Sequence, residues 1–132
     1  MIDRLIQPRL ARTRKSLLLL GPRQVGKSTL CRSLKPDRTI NLADEEIFLS
    51  YAKDPGRLRR ETLALGGTAV VFIDEIQRIP ALLNTVQALL DEKTGLRFLL
   101  TGSSARKLKR GGANLLPGRI ILEHLDPLTF WE

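Results

Sequence analysis

Residues Gly21 to Ser28, GPRQVGKS, have the pattern G-x-x-x-x-G-K-[ST], and Thr29 follows. Glycines at two points of such a loop let the backbone turn tightly, so its N–H groups can face inward toward phosphate oxygens. A helix that follows adds the positive end of its peptide dipoles. Lys27 can extend a point charge toward β- and γ-phosphates. The Ser28 hydroxyl is a hard oxygen donor of the kind Mg²⁺ takes. Thr29 is placed to support the α-phosphate side or the helix start. The candidate ligand contacts are Gly21, Pro22, Arg23, Gln24, Val25, Gly26, Lys27, Ser28 and Thr29. The competing reading is a glycine-rich turn before a capped helix. A buried strand before the motif and a helix after it favour the phosphate grip.

A second constellation is Val70-Val71-Phe72-Ile73-Asp74-Glu75, an apolar run that ends in two acids. Asp74 is placed to hold Mg²⁺, through a bound water. Glu75, one residue on, is placed to orient an attacking water and take its proton. Phosphoryl transfer depends on positioning and charge neutralisation, so these two roles suffice for hydrolysis. The plain alternative is an idle acidic loop after a strand. A third stretch, Thr101-Gly102-Ser103-Ser104, ends another apolar run in small hydroxyl residues. If its strand lies between the first and third strands, Ser103 or Ser104 faces the γ-phosphate. An ordinary strand-to-loop cap would also look like this. No N-K-x-D follows, so nothing selects guanine, and no phosphoryl-acceptor site is visible for a kinase.

The elements that position these residues alternate in type. Ser16 to Leu20 is a continuous apolar run, the pattern of a strand covered on both faces. A helix follows over Lys27 to Leu34, stopped by Pro36 and Asp37. Strands are expected at Arg38 to Leu42, Ala69 to Ile73, Leu96 to Leu100 and Arg119 to Leu122. Helices are expected at Glu45 to Lys53, ended by Asp54-Pro55-Gly56, and at Arg57 to Leu65, closed by Gly66-Gly67. Another is expected after Pro80, with Leu82, Leu83, Val86, Leu89 and Leu90 on one stripe. A short irregular helix carries Ile2, Leu5, Ile6 and Leu10. This alternation predicts an α/β fold with a parallel sheet and helices on both faces. With the phosphate-loop pattern, the expectation is a P-loop NTPase three-layer sandwich whose mostly parallel five-stranded sheet has the order 5-1-4-3-2, an order that belongs to that fold and is not read from the alternation. Ligands of such sheets bind at the carboxyl ends of the strands.

The chain has 132 residues, a length that suits one domain, and its 42% hydrophobic content suffices for a core. No apolar run approaches the ~20 residues of a membrane span, and the first residues lack the apolar core of a secretory signal. The single cysteine, Cys31, excludes an internal disulfide and fits a reducing cytoplasm. The net charge of +8 can attract nucleotide phosphates, acidic partners or nucleic acid. Its basic residues fall in separate groups: Arg9, Arg12, Arg14 and Lys15; Arg57, Arg59 and Arg60; Arg106, Lys107, Lys109 and Arg110. Only 5% of residues are aromatic, which argues against a base-stacking platform.

GPRQVGKST, NLADEE, VVFIDEIQRIP, FLLTGSSARKL and LLPGRIILEHLDPLTFWE, in this order, resemble the AAA+-like ATP-binding domain (AAA_14 type) of prokaryotic proteins that carry a C-terminal DUF4143 domain. The phosphate loop alone names only a superfamily; the D-E-I-Q, T-G-S-S and L-P-G-R segments are more specific. The resemblance implies ATP and Mg²⁺ at Gly21 to Thr29, Walker B roles for Asp74 and Glu75, and a sensor-like role for Ser103 or Ser104. Arg119 matches the L-P-G-R segment, and two roles stay open for it: an arginine finger on a neighbouring subunit's nucleotide, or an ion pair with an acid. Gln77 matches the family pattern and is placed to turn toward the site and help set Glu75. Members of that family continue past Phe130-Trp131-Glu132, so residues 1–132 are expected to be one ATPase core domain without lid or C-terminal domain. The function expected is Mg²⁺-dependent ATP binding and hydrolysis. A non-catalytic nucleotide switch and a nucleic-acid module are the alternatives. A homo-oligomer and a weak nucleic-acid contact through the basic groups are compatible with the sequence; a membrane partner is not expected.

Overall fold

The structure, a computed structural model, describes residues 15–21, 27–103 and 120–124; Lys27, Ser28 and His124 enter through their backbone alone. The strands are β1 (Ser16–Leu20), β2 (Arg38–Asn41), β3 (Val70–Asp74), β4 (Arg97–Gly102) and β5 (Ile120–His124). The helices are α1 (Lys27–Ser33), α2 (Glu45–Lys53), α3 (Arg57–Leu65) and α4 (Ala81–Asp91), with a 3-10 turn at Ile76–Arg78. The expected N-terminal helix lies outside the described residues.

The strands form one sheet in the order β2-β3-β4-β1-β5, the expected order read from the other edge. Every pairing is parallel. Parallel strands need covering on both faces, which explains why β1 and β3 read as unbroken apolar runs. Successive side chains of a strand point to opposite faces. Leu18 and Leu20 of β1 accordingly enter one buried cluster with Ile40, Val71, Ile73, Phe98 and Leu100, roofed by Tyr51 of α2, Leu58 of α3 and Leu82, Leu83, Val86 and Leu89 of α4. Leu17 and Leu19 enter the opposite cluster with Phe72 and Leu99, beneath Leu30 and Cys31 of α1. Each fully buried leucine contributes about 1.5–3 kcal/mol relative to an exposed one.

Local signals explain where elements begin and end. Asp44 caps α2: its Oδ1 accepts from the N–H groups of Glu46 at 3.0 Å and Ile47 at 3.4 Å. Gly66, at φ 78°, ends α3. Gly95 adopts φ 85°, and a Cβ on it would lie 2.4 Å from the carbonyl oxygen of Gly67, so the turn into β4 requires glycine. At the amino end of the sheet, Asp37 Oδ2 accepts from Val70 N–H at 2.7 Å, and Ser16 Oγ accepts from Phe98 N–H at 2.8 Å. β4 runs two residues beyond the expected Leu100, because Thr101 and Gly102 continue the ladder opposite Leu19 and Leu20. Among the described residues no helix is long and apolar enough to cross a membrane.

Candidate functional site

All strands are parallel, so their carboxyl ends lie at one edge of the sheet. That edge gathers Gly21 after β1, Asp74 and Glu75 at the end of β3, and Thr101, Gly102 and Ser103 at the end of β4. β4 separates β1 from β3 and binds to both. The Gly21 N–H donates to Gly102 O at 3.1 Å, which fixes the start of the glycine-rich loop against β4. Lys27 and Ser28 open α1, and Thr29 is exposed in its first turn. Pro22, Arg23, Gln24, Val25 and Gly26, together with Ser104 and Arg119, lie outside the described residues.

Asp74 and Glu75 are almost fully buried, at 8% and 5% exposure. Burying two neighbouring carboxyl groups is unfavourable unless each finds donors. Thr101, itself fully buried, serves both residues. Its Oγ1 accepts from the Glu75 N–H at 2.9 Å. Its hydroxyl proton is then available for Asp74 Oδ1, 2.5 Å away. One hydroxyl therefore clamps the end of β3 to β4. The strand register brings this about: Phe72 pairs with Leu99 and Ile73 with Leu100, so Thr101 comes level with Asp74.

Glu75 leaves the strand in the left-handed region, at φ 60° and ψ 50°. A non-glycine residue there stores strain of order 1–3 kcal/mol and persists only when its surroundings impose it. The Thr101 bond is one such constraint. The 3-10 turn that follows is another: Arg78 N–H donates to Glu75 O, and Ile79 N–H to Ile76 O, both at 3.1 Å. Ile76 is buried in the apolar cluster beneath. Arg78 holds the far end, donating to Leu42 O at 2.6 Å and to Glu45 at 3.2 Å, with its guanidinium 4.1 Å from the centre of the Phe48 ring.

Gln77, on this turn, reaches back into the site. Its Nε2 donates to Glu75 Oε2 at 3.0 Å, and its Oε1 accepts from Ser103 N–H at 3.3 Å. The Ser103 hydroxyl oxygen is buried and has no hydrogen-bond partner among the described residues. A buried hydroxyl without a partner is uncommon; at the edge of the sheet that carries Gly21, Asp74 and Glu75, it suits a phosphate oxygen or an ordered water. Of the residues singled out in the sequence, the fold thus brings Asp74, Glu75, Gln77 and Ser103 together, with Gly21 tied in through Gly102. Thr101 was not singled out. It stood in the same T-G-S-S run as Ser103, but its role depends on interstrand register.

The chain matches the AAA_14 family model, an AAA domain, over residues 13–132, and it belongs to that family. It is a P-loop nucleotide-binding domain of the AAA kind. Uncharacterized proteins of Mycobacterium tuberculosis and Mycobacterium bovis are each 37% identical to it over 127 residues, covering 90% of this chain and 28% of theirs. An uncharacterized protein of Methanocaldococcus jannaschii is 31% identical over 93 residues, covering 70% of this chain and 21% of its own length. The chain therefore spans less than a third of each of these relatives. A structure of C. elegans PCH-2 superposes with a TM-score of 0.45 at 17% identity, covering 93% of this chain and 37% of that one.

Proposed function

We propose that this domain binds ATP with Mg²⁺ and hydrolyses its γ-phosphoanhydride bond. The observation that carries the reading is the Asp74–Glu75 pair, fastened by Thr101 beside the unpartnered Ser103 hydroxyl at the edge where the glycine-rich loop begins. Gly21 to Gly26 wrap the phosphates with backbone N–H groups, and Lys27 supplies positive charge at the β- and γ-phosphates. Thr29 supports the α-phosphate side. Ser28 and Asp74 would hold a magnesium ion, Asp74 through a water, and the ion would supply charge neutralisation at the phosphate oxygens. Glu75 takes a proton from the attacking water as its oxygen bonds to the γ-phosphorus, and the bond to the ADP oxygen breaks in line. Ser103 donates to a γ-phosphate oxygen. Arg119 completes the charge around the nucleotide or pairs with an acid of its own chain. The unit forms the nucleotide core of a longer DUF4143-type protein of the prokaryotic cytoplasm, and a homo-oligomer is compatible with the site.

The test is phosphate release from ATP in the wild-type chain and in Glu75→Gln. Loss of a general base lowers kcat by about 10²–10⁴-fold, while ATP binding is expected to persist. Lys27→Ala is expected to lose binding. Turnover unaffected in Glu75→Gln removes that residue as the base. Tight ATP binding without turnover at any protein concentration replaces the hydrolytic reading with that of a nucleotide-controlled switch. Salt-sensitive duplex binding without nucleotide binding replaces it with a nucleic-acid module.

A further inference from the structure

Gln77 stands between the two halves of the site. One carboxamide contacts the carboxylate read as the base, Glu75 Oε2 at 3.0 Å, and the N–H of the strand end read as the γ-phosphate contact, Ser103 at 3.3 Å. Its placement is built in. The left-handed backbone at Glu75 folds the chain back, so that a side chain two residues on can reach the carboxylate. Buried Ile76 and the Arg78 contacts hold the turn from both sides. Gly102 leaves the room: a Cβ there would lie 3.1 Å from Gln77 Oε1 and 3.2 Å from Leu20 Cδ2.

A carboxamide donates and accepts at once, a combination that carboxylates and apolar side chains lack. Here the donor holds Glu75 and the acceptor holds Ser103. A γ-phosphate oxygen is charged and competes for the Ser103 N–H as a stronger acceptor than a neutral amide oxygen. Once it takes that donor, Gln77 Oε1 is released, and the carboxamide turns while still bonded to Glu75.

We propose that Gln77 is a positioning residue that couples occupancy of the γ-phosphate position at Ser103 to the orientation of the Glu75 carboxylate. The inference rests on the hydrolytic reading above. With a diphosphate bound, the Ser103–Gln77–Glu75 chain stays closed. With a triphosphate bound, it opens at Ser103 and Glu75 swings onto the attacking water.

Two measurements test this. The side-chain amide resonance of Gln77, assigned by its loss in Gln77→Ala, is followed while the wild-type protein is titrated with Mg²⁺-ADP and with a non-hydrolysable Mg²⁺-ATP analogue. It is expected to shift with the analogue and to stay in place with ADP. In steady-state kinetics, Gln77→Ala is expected to lower kcat by about 10–100-fold, the scale of a misplaced reacting group, with KM for ATP within about two-fold. Gln77→Met, equal in reach but unable to donate, controls for packing and is expected to show the same loss. If both nucleotides bind yet move the Gln77 resonance alike, or if both variants keep wild-type kcat while Glu75→Gln is inactive, the inference fails and the hydrolytic reading stands. If the wild-type chain shows no turnover, or Glu75→Gln turns over like wild type, the reading falls and takes the inference with it.

Discussion

Thr101→Val keeps the shape of a fully buried side chain and removes one oxygen. Two consequences follow from the distances. The Glu75 N–H loses an acceptor at 2.9 Å, and Asp74 Oδ1 loses a donor at 2.5 Å. A buried amide left without a partner costs about 1–3 kcal/mol, and a hydrogen bond to a carboxylate contributes roughly 1.5–3 kcal/mol. The isosteric methyl leaves no room for a replacement water. Part of the loss is recovered, because one of the two constraints on the left-handed Glu75 is gone and a share of its strain, of order 1–3 kcal/mol in all, can relax. The net destabilisation expected is about 2–4 kcal/mol. With a urea m-value of about 2 kcal/mol/M, the middle of the range for small proteins, the unfolding midpoint should fall by about 1–2 M at unchanged m.

The assay is urea unfolding followed by far-UV circular dichroism in the nucleotide-free protein, so that no assumption about activity enters. Thr101→Ser retains the hydroxyl and loses one methyl, and is expected to recover all but about 1 kcal/mol. If Thr101→Val lies within about 0.5 kcal/mol of wild type, or if serine performs no better than valine, the hydroxyl does not clamp β3 to β4 and the account of the site is wrong.

Three further outcomes are expected. Burial opposes ionisation of Glu61, but hydrogen bonds from Tyr51 and Arg57 and the charges of Arg38 and Arg57 outweigh it and hold its carboxyl below the ordinary value. A depressed folded-state pKa gives stability that is present above the unfolded pKa, ~4.3, and is lost as pH falls through the folded value. Glu61→Gln should therefore be less stable than wild type near pH 7, by on the order of 1 kcal/mol, and the gap should close on acidification; a gap independent of pH contradicts the ion-pair account. Gly95→Ala meets both a φ of 85° and the Gly67 carbonyl at 2.4 Å, whereas Gly66→Ala at φ 78° meets no atom within 4 Å. Denaturation should show strain of about 1–3 kcal/mol for Gly66→Ala and a larger loss for Gly95→Ala; equal losses remove the steric argument. Asp44→Ala should cost about 1 kcal/mol by removing the cap of α2, and a variant that melts with wild type shows the cap to be dispensable.

The strands were legible because parallel strands buried on both faces leave unbroken apolar runs, such as Leu17 to Leu20 and Val71 to Ile73. The stripe of α4 was legible for a related reason: Leu82, Leu83, Val86 and Leu89 face the sheet at helical spacing. The strand order was an expectation attached to the P-loop fold that the motifs on β1 and β3 suggest; no residue pattern encodes the place of β4 between them. Much of the site's support was not legible. Nothing in Asp74-Glu75-Ile76 announces a left-handed glutamate, because that backbone is imposed by Thr101 and by the turn beyond it. The role of Thr101 depends on register between β3 and β4, which one sequence does not encode locally. Gln87 sits on α4 between apolar positions and is buried at 4% exposure, where periodicity alone would leave a polar residue in solvent.

Thr101 also shows why the fold and the candidate site cannot be tuned independently. A residue at the last turn of a strand usually ends the ladder, and its side chain is free to vary. Here the ladder continues through Gly102, whose missing side chain admits both Leu20 and the Gln77 carboxamide. The contacts that close the carboxyl edge of the sheet are therefore the contacts that orient Glu75. Substitutions at Thr101 or Gly102 must change stability and carboxylate placement together. Gln77, half-buried on a turn held by Ile76 and Arg78, is a contact to the Glu75 carboxylate that can change without loosening the sheet. A device that responds to bound phosphate has to be that separable: it must move at a small cost in folding free energy, and the backbone around Thr101 does not.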